Sequence, residues 1–327
     1  MATSSSPITQ VSQHAPAPIS SLQPQLLTRL TLDLRGQKFS VDRETIMNLP
    51  ESVLLCLFPN GLVLSRQSTA GDGGESDEDE DVYAVDFDPQ CFSFVLSFFR
   101  QAQDTFYGTS NFPGLYQAQQ HLVDPGSQNI PAEFAPSQNP LLTKQAIIVL
   151  REELEYFAIP PKGDKAKTSA DPTTGQPGPD LIDLKKECGQ KLLEKRSIFT
   201  ALQRNVSKEN NLAEQHLIDM LCMSGFERDD SWGYRALEPN RCCISSIALV
   251  LLKTGITHAN PSDPTPAGVT VDNNQMSTAQ KLLLFWRKPA RKCWWDGLDV
   301  DIAKTGETPR IVKLWSRRVW TLELSLI

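Results

Sequence analysis

The sequence predicts an α+β fold, because the two-residue period of strands and the three-to-four-residue period of helices both recur along its 327 residues. Leucines alternate with polar residues at 30–34, which predicts a strand. Large apolar residues at 92–99 share one side at helical spacing and predict a helix. Apolar and polar residues alternate again at 311–327, as in terminal strands.

The first folded region is predicted at residues 28–160, after a tail at 1–27 that has too few large apolar residues to fold. Arg35-Gly36 forms a turn between two strands of a hairpin. Asp42 precedes a helical pattern that Pro50 interrupts, and Asp88-Pro89 starts the next helix.

The end of this region reads as a closing helix, because Ile147, Leu150, Leu154 and Phe157 recur at helical spacing before Pro160. Two stretches in the region do not fit a regular core. They are an acidic insert at 67–81 and a turn-rich insertion at 108–139.

A linker rich in Gly, Pro, Thr and Asp is predicted at 161–180, followed by a C-terminal α+β domain at 181–327. That domain begins with a long amphipathic helix at 181–206. A second helix starts near Asn210 and ends at Ser224-Gly225, and residues 244–252 form a buried, β-branched segment.

Composition and motifs favour a non-catalytic protein without a cofactor or metal. The net charge of −7 and the pI of about 5.3 disfavour nucleic acid as a partner. The longest apolar run, at 247–252, is too short to span a membrane. The seven cysteines form no C-x-x-C pair, which favours reduced thiols in the cytoplasm or nucleus. No catalytic motif is present, and His216 and Cys222 are out of phase for a nucleophile pair on one helix.

The acidic insert carries six carboxylates at 75–81 and no basic residue. One interpretation is a solvated, self-repelling loop. The other is a phosphorylation site at Ser76, because acidic residues occupy each of the next five positions, as an acidophilic kinase requires.

The C-terminal stretch 281–327 is basic and aromatic, with ten Lys or Arg against five acidic residues and five of the six tryptophans. These tryptophans either fill a core with arginines stacked on them, or they form a docking surface. The docking surface would consist of Arg291, Lys292, Trp294 and Trp295, and would face a phosphoprotein, an acidic peptide or an anionic lipid surface.

Three segments resemble a BTB/POZ domain of the potassium-channel-tetramerisation type. They are LTLDLRGQKFSVDRETI at 30–46, VDFDPQCFSFVLSFFR at 85–100 and LREELEYFAIP at 150–160. The chain departs from that pattern at its two insertions, and at the linker that replaces the helical pair of a cullin-binding surface. With LLLFWRKPARKCWWDG at 282–297 and RRVWTLELSLI at 317–327, the whole chain resembles the fungal growth-regulation and general-stress-response BTB proteins of the Whi type.

This resemblance implies a non-catalytic adaptor with no membrane span. Its partners would be a plasma-membrane phosphatase of the haloacid-dehalogenase type and regulators of target-of-rapamycin signalling. It would self-associate through the BTB domain, and would be cytoplasmic and recruited to the plasma membrane or nucleus by partners. The BTB resemblance alone implies an alternative, a substrate adaptor of a cullin-type ubiquitin ligase.

Overall fold

The structure is a computed structural model, which describes residues 25–26, 28–61, 65–66, 82–123, 139–159, 178–203, 212–258, 268–303 and 308–327. Several predicted features lie outside these residues: almost all of the N-terminal tail, the acidic insert with Ser76, most of the linker, and part of the turn-rich insertion at 124–138.

The N-terminal elements include the predicted hairpin, helical pattern and long helix, with a further strand before the long helix. They are β1 (Gln25–Leu26), β2 (Arg29–Leu34), β3 (Gln37–Asp42), α1 (Arg43–Met47), α2 (Glu51–Leu57), β4 (Ser65–Arg66), β5 (Val82–Val85) and α3 (Pro89–Tyr107), followed by β6 (Gly108–Thr109), β7 (Phe112–Pro113) and α4 (Leu115–Gln119).

The remaining elements build a large sheet and the helices that cover it. They are β8 (Ala146–Ile159), α5 (Pro179–Leu193), α6 (Leu212–Ser224), β9 (Tyr234–Leu237), β10 (Cys243–Leu251), β11 (Ile256–Thr257), β12 (Thr270–Val271), α7 (Asn273–Trp286), β13 (Ala290–Asp301) and β14 (Ile311–Leu326). This mixture of sheets and helices confirms the α+β class.

Local chemistry explains why the N-terminal elements begin and end where they do. The β2–β3 turn places Arg35 and Gly36 at positive φ, 50° and 91°, as a tight hairpin turn requires. Asp88 caps α3 by accepting hydrogen bonds from the backbone N–H groups of Gln90 and Cys91, and Pro89 occupies the first turn. β2 pairs antiparallel with β3 and parallel with β5, which forms a three-stranded sheet.

The predicted closing helix is wrong, because residues 146–159 form the central strand β8 of a five-stranded antiparallel sheet. The strand order is β13-β14-β8-β10-β9, so β8 has a hydrogen-bonded neighbour on each side. Ala146 to Leu150 are all fully buried, because both faces of the sheet are covered at this end. A strand buried on both faces gives a continuous apolar run, which periodicity alone cannot distinguish from a buried helix.

The large sheet lies between two layers. On one face, Ile147, Val149, Ile247 and Leu249 join the core formed by α3 and the N-terminal strands. The opposite face packs against α5, α6 and α7. We call these layers the N-terminal layer and the helical layer.

The predicted regions 28–160 and 181–327 both contribute strands to the large sheet. Strand β8 belongs to the first region, but its neighbours β10 and β14 belong to the second. The two regions therefore share one sheet and its hydrophobic cores.

Polar contacts tie the N-terminal layer to the sheet. The Glu323 carboxylate of β14 accepts hydrogen bonds from the Ser52 backbone N–H, at 3.1 and 3.2 Å, and from the Ser52 hydroxyl. Arg151 of β8 donates to the Ser52 carbonyl at 2.8 Å. Arg35 pairs with Asp86 and, across the layer boundary, with Glu238, at 2.6 Å in each case.

The predicted C-terminal helices are confirmed in part. The prediction of one helix at 181–206 is wrong beyond Leu193, because α5 ends there, Ser197 forms a β-bridge with Ser231, and the chain is helical again at 200–203. The second predicted helix corresponds to α6 and ends before Gly225. Residues 282–286 belong to α7, and the predicted terminal alternation is the single long strand β14. None of the described helices is long and apolar enough to cross a membrane.

Candidate functional site

The residues predicted to form a docking surface lie on the edge strand β13, where they are divided between two faces of the sheet. Successive side chains of a strand point to opposite faces. Arg291 and Trp295 therefore lie on one face, and Lys292 and Trp294 on the other. No single surface contains all four side chains.

Trp294 and Lys292 face the helical layer. The Trp294 ring packs edge-to-face against Trp320, with centroids 5.4 Å apart. The Lys292 ammonium lies 3.1 Å from the buried carboxylate of Glu214 and 5.9 Å from the centre of the Trp294 ring. These contacts give both side chains a role in packing.

Trp295 lies on the opposite face, among other exposed apolar side chains. Its ring stacks on Phe157 of β8, with centroids 6.1 Å apart and planes at 28°. Residues that pair directly across antiparallel strands share a face, which places Trp315 beside Phe157. We call the exposed apolar members of this group the aromatic sheet face: Phe157, Ile159, Trp295, Ile311 and Trp315.

The aromatic sheet face is largely open to solvent. Trp295 is 58% exposed and Phe157 is 52% exposed, although both lie in well-paired strands. Among the described residues, the apolar core of the N-terminal layer packs against this face of the sheet around Ile147 and Val149. A contiguous exposed apolar group of this kind is typical of interaction surfaces rather than of ordinary surface positions.

Charged side chains border the aromatic sheet face. Arg317 lies between Trp295 and Glu155 in the register of three strands, and its Nε is 3.0 Å from Glu155 Oε2. Arg151 and Glu153 form a looser pair at 3.6 Å. An apolar centre with a charged rim is the usual anatomy of a protein interface.

The other face of β8 contains a buried charged cluster. The Glu152 carboxylate accepts hydrogen bonds from Arg235 at 2.7 Å, from Arg318 at 2.6 Å and from the Trp320 indole at 3.0 Å. Burial by itself raises the pKa of Glu152, but the charges of Arg318 and Arg235 outweigh it and lower that pKa. The cluster lies inside the helical layer, so it organises the core rather than a binding surface.

A cleft of about 260 Å³ separates the N-terminal layer from the exposed part of the sheet. Arg35, Glu238 and Arg151 line it, and each of them already forms an ion pair with a described residue. Its charged groups therefore neutralise one another and do not define a ligand.

The cysteines are all free thiols. Burial raises the pKa of Cys91 and of Cys243 to about 12, and that of Cys188 to about 11, so these three are protonated near neutral pH. His216 is an exposed residue of α6, whereas Cys222 is half-buried on the same helix. Among the described residues, no group of three or more His, Cys, Asp or Glu side chains could hold a metal ion.

Sequence reasoning found Trp295 but missed the neighbours that complete the surface. The helical spacing of residues 147–157 predicts a helix at Phe157, which gives no reason to place it beside Trp295. Buried and exposed positions alternate at 154–159 of β8, but the sequence LEYFAI does not reveal it, because the exposed positions include the apolar Phe157 and Ile159.

No family model matches the chain. It is similar along most of its length to curated proteins of two yeasts. A WHI2-like protein of Schizosaccharomyces pombe is 33% identical over 293 residues, which covers 90% of this chain and 86% of that protein. A growth regulation protein of Saccharomyces cerevisiae is 26% identical over 454 aligned positions, with 90% of each chain covered. The identity and coverage of the first match show that the chain belongs to the WHI2-like family of growth-regulation proteins.

Proposed function

We propose that this protein is a non-catalytic adaptor in growth regulation. It binds a phosphatase and other signalling proteins in the general stress response and in nutrient signalling through target of rapamycin. The observation that carries the proposal is the aromatic sheet face, which leaves Trp295 and Phe157 exposed on a rigid sheet. The names of the WHI2-like relatives support the regulatory role.

The composition of the aromatic sheet face suits a protein partner. Tryptophan buries a large area with few rotatable bonds, and tryptophan and arginine are enriched in the residues that dominate binding energy. Trp295 and Trp315 supply the apolar area, and Arg317 and Arg291 lie on the same face of the sheet. Because the strands are paired, little ordering entropy opposes binding at this surface.

We also propose that the N-terminal layer is a BTB/POZ-type domain through which the protein self-associates. The β2–β3 hairpin, the parallel pairing of β2 with β5 and the phenylalanine-rich α3 support this assignment. Light scattering of the full chain tests it, and a monomer throughout the micromolar range would overturn self-association. The full chain is required because the core of the N-terminal layer includes residues of β8 and β10.

The partner class is tested by affinity capture of the tagged full chain from a yeast lysate, with and without amino-acid starvation, followed by mass spectrometry. We expect a phosphatase of the haloacid-dehalogenase type, together with target-of-rapamycin regulators. A Trp295→Ser variant should lose them. Phe112→Ser is the matched control, because Phe112 is 74% exposed but lies on β7 of the N-terminal layer.

The outcomes of this capture separate the two adaptor functions. Loss of the phosphatase with Trp295→Ser but not with Phe112→Ser supports the proposal. Recovery of a cullin by all three proteins, without a phosphatase, would favour the ubiquitin-ligase adaptor instead.

A further inference from the structure

Helix α7 carries an exposed stripe that the proposed function does not use. Leu284 and Phe285 are 79% and 72% exposed, which makes them two of the most exposed large apolar side chains described. Lys281 lies one helical turn before them on the same side of α7, and Lys288 follows just after the helix ends at Trp286. We call Lys281, Leu284, Phe285 and Lys288 the α7 stripe.

The inner side of α7 is fully committed to the core of the helical layer. Met276, Ala279, Leu282, Leu283 and Trp286 are all buried there. The α7 stripe therefore faces away from the protein, and its apolar side chains contribute little to the fold.

The charge around the α7 stripe is positive and unneutralised. Residues 273–295 contain five Lys or Arg and no acidic residue, in a chain of net charge −7. Lys292 pairs with Glu214, whereas Lys281, Arg287 and Lys288 form no ion pair with any described residue. These three cations are all exposed.

We propose that the α7 stripe docks on the surface of a lipid bilayer that contains anionic phospholipid. Leu284 and Phe285 enter the boundary between head groups and acyl chains, and the surrounding cations contact the anionic head groups. A helix with a fixed inner face and an apolar, basic outer face lies in the plane of such an interface. Clusters of Lys and Arg are attracted to the negative potential of that surface.

A bilayer fits these side chains better than a groove in a protein. A helix that docks in a groove presents a row of apolar anchors over several turns. The α7 stripe has only two adjacent apolar residues, and its lysines lie three to four residues before and after them. Two apolar side chains that insert shallowly, with cations near them, suit a lipid bilayer, which has a charged surface and a fluid apolar interior.

Vesicle flotation of the full-length protein tests the proposal. We expect binding to vesicles of phosphatidylcholine with phosphatidylserine and not to phosphatidylcholine alone, with a decrease at high salt. Leu284→Ser/Phe285→Ser and Lys281→Glu/Lys288→Glu should each weaken binding on the order of tenfold. The exposed Phe112 provides a control, and Phe112→Ser should bind like the wild type.

All the altered side chains are exposed, so the melting temperatures should be unchanged. Equal binding to both kinds of vesicle, or anionic binding that neither double variant weakens, would overturn the proposal. The absence of vesicle binding would also overturn the proposal, whether or not the stripe binds an acidic protein instead. The aromatic sheet face is intact in both double variants, so failure here leaves the proposed function standing.

Discussion

Two neighbouring tryptophans on β13 have opposite environments, because strand geometry sends consecutive side chains to opposite faces. Trp294 packs against Trp320 beneath the helical layer, whereas Trp295 stacks on Phe157 and remains mostly exposed. Sequence composition predicts that this region is rich in binding residues, but it does not tell which of two adjacent rings is buried. That distinction depends on the register of β13 against β14.

Alanine substitutions at Trp294 and Trp295 should differ in their effect on the free energy of unfolding. Trp294→Ala should lower the free energy of unfolding by about 2 kcal/mol or more, because it leaves a cavity beside Trp320. Trp295→Ala should change it by less than about 1 kcal/mol, because the ring is 58% exposed. Urea unfolding followed by tryptophan fluorescence measures both values, and equal losses would contradict the assignment of the two rings.

Two glutamates of β8 provide a second comparison. Glu152→Gln leaves the buried Arg235 and Arg318 without a counter-charge, so the free energy of unfolding should fall by about 3–5 kcal/mol. Glu155→Gln is the matched control, because its pair with Arg317 is roughly 40% exposed and should contribute about 0–1 kcal/mol. Urea unfolding at neutral pH measures both losses, and a loss with Glu152→Gln no larger than with Glu155→Gln would refute the structural role of the cluster.

The stability difference between the wild type and Glu152→Gln should also depend on pH. The pKa of Glu152 is lower in the folded protein than the ordinary value of 4.5. Its stabilising contribution is therefore complete above that value and is lost as the pH falls through the lower folded pKa. The stability difference between wild type and Glu152→Gln should stay constant from pH 7 to about 5 and narrow on further acidification.

The prediction from sequence failed for strand β8, which is the central strand of the large sheet. Its apolar residues fit helical spacing as well as they fit a strand, because the half that lies between the two layers is apolar on both sides. By contrast, the β2–β3 hairpin and α3 were predicted closely, because turn chemistry and the Asp88-Pro89 cap are local signals. Pairing with β10 and β14 is a long-range property, so local periodicity could not reveal it.

Hydrogen exchange tests the assignment of β8 directly. The amides of residues 147–157 should belong to the slowest class in the chain, because β8 is hydrogen-bonded to a strand on each side. Mass spectrometry of peptic peptides gives these rates. Fast exchange throughout this segment, as in exposed turns, would show that it is not the central strand.

The five-stranded sheet holds the whole molecule together, because it contains strands from both sides of the predicted linker. The N-terminal layer shares its core with β8, β10 and the C-terminal Ile327. The predicted linker at 161–180 therefore connects parts that pack together. From the sequence, a stretch rich in Gly and Pro could not be distinguished from a boundary between independent domains.

After cleavage in this linker, the two fragments should stay associated. A protease site inserted between residues 161 and 177 can be cut without removing any described strand. The two fragments should elute together on gel filtration at the position of the intact protein, because β8 remains paired with β10 and β14. Elution as two separate folded fragments would instead support independent domains.

The aromatic sheet face exists only because these parts assemble. It combines Phe157 from before the linker with Trp295 and Trp315 from after it. Sequence analysis could identify a basic and aromatic segment, but the surface itself requires the register of three strands.

The affinity of a purified phosphatase of the proposed haloacid-dehalogenase type for this surface tests the central claim most directly. Binding should be measured for the wild type, for Trp295→Ser and for the exposed control Phe112→Ser, with melting temperatures to confirm folding. We predict that Trp295→Ser raises the dissociation constant at least about tenfold and that Phe112→Ser leaves it unchanged. Equal affinity for all three proteins would contradict the claim that the aromatic sheet face binds the proposed partner.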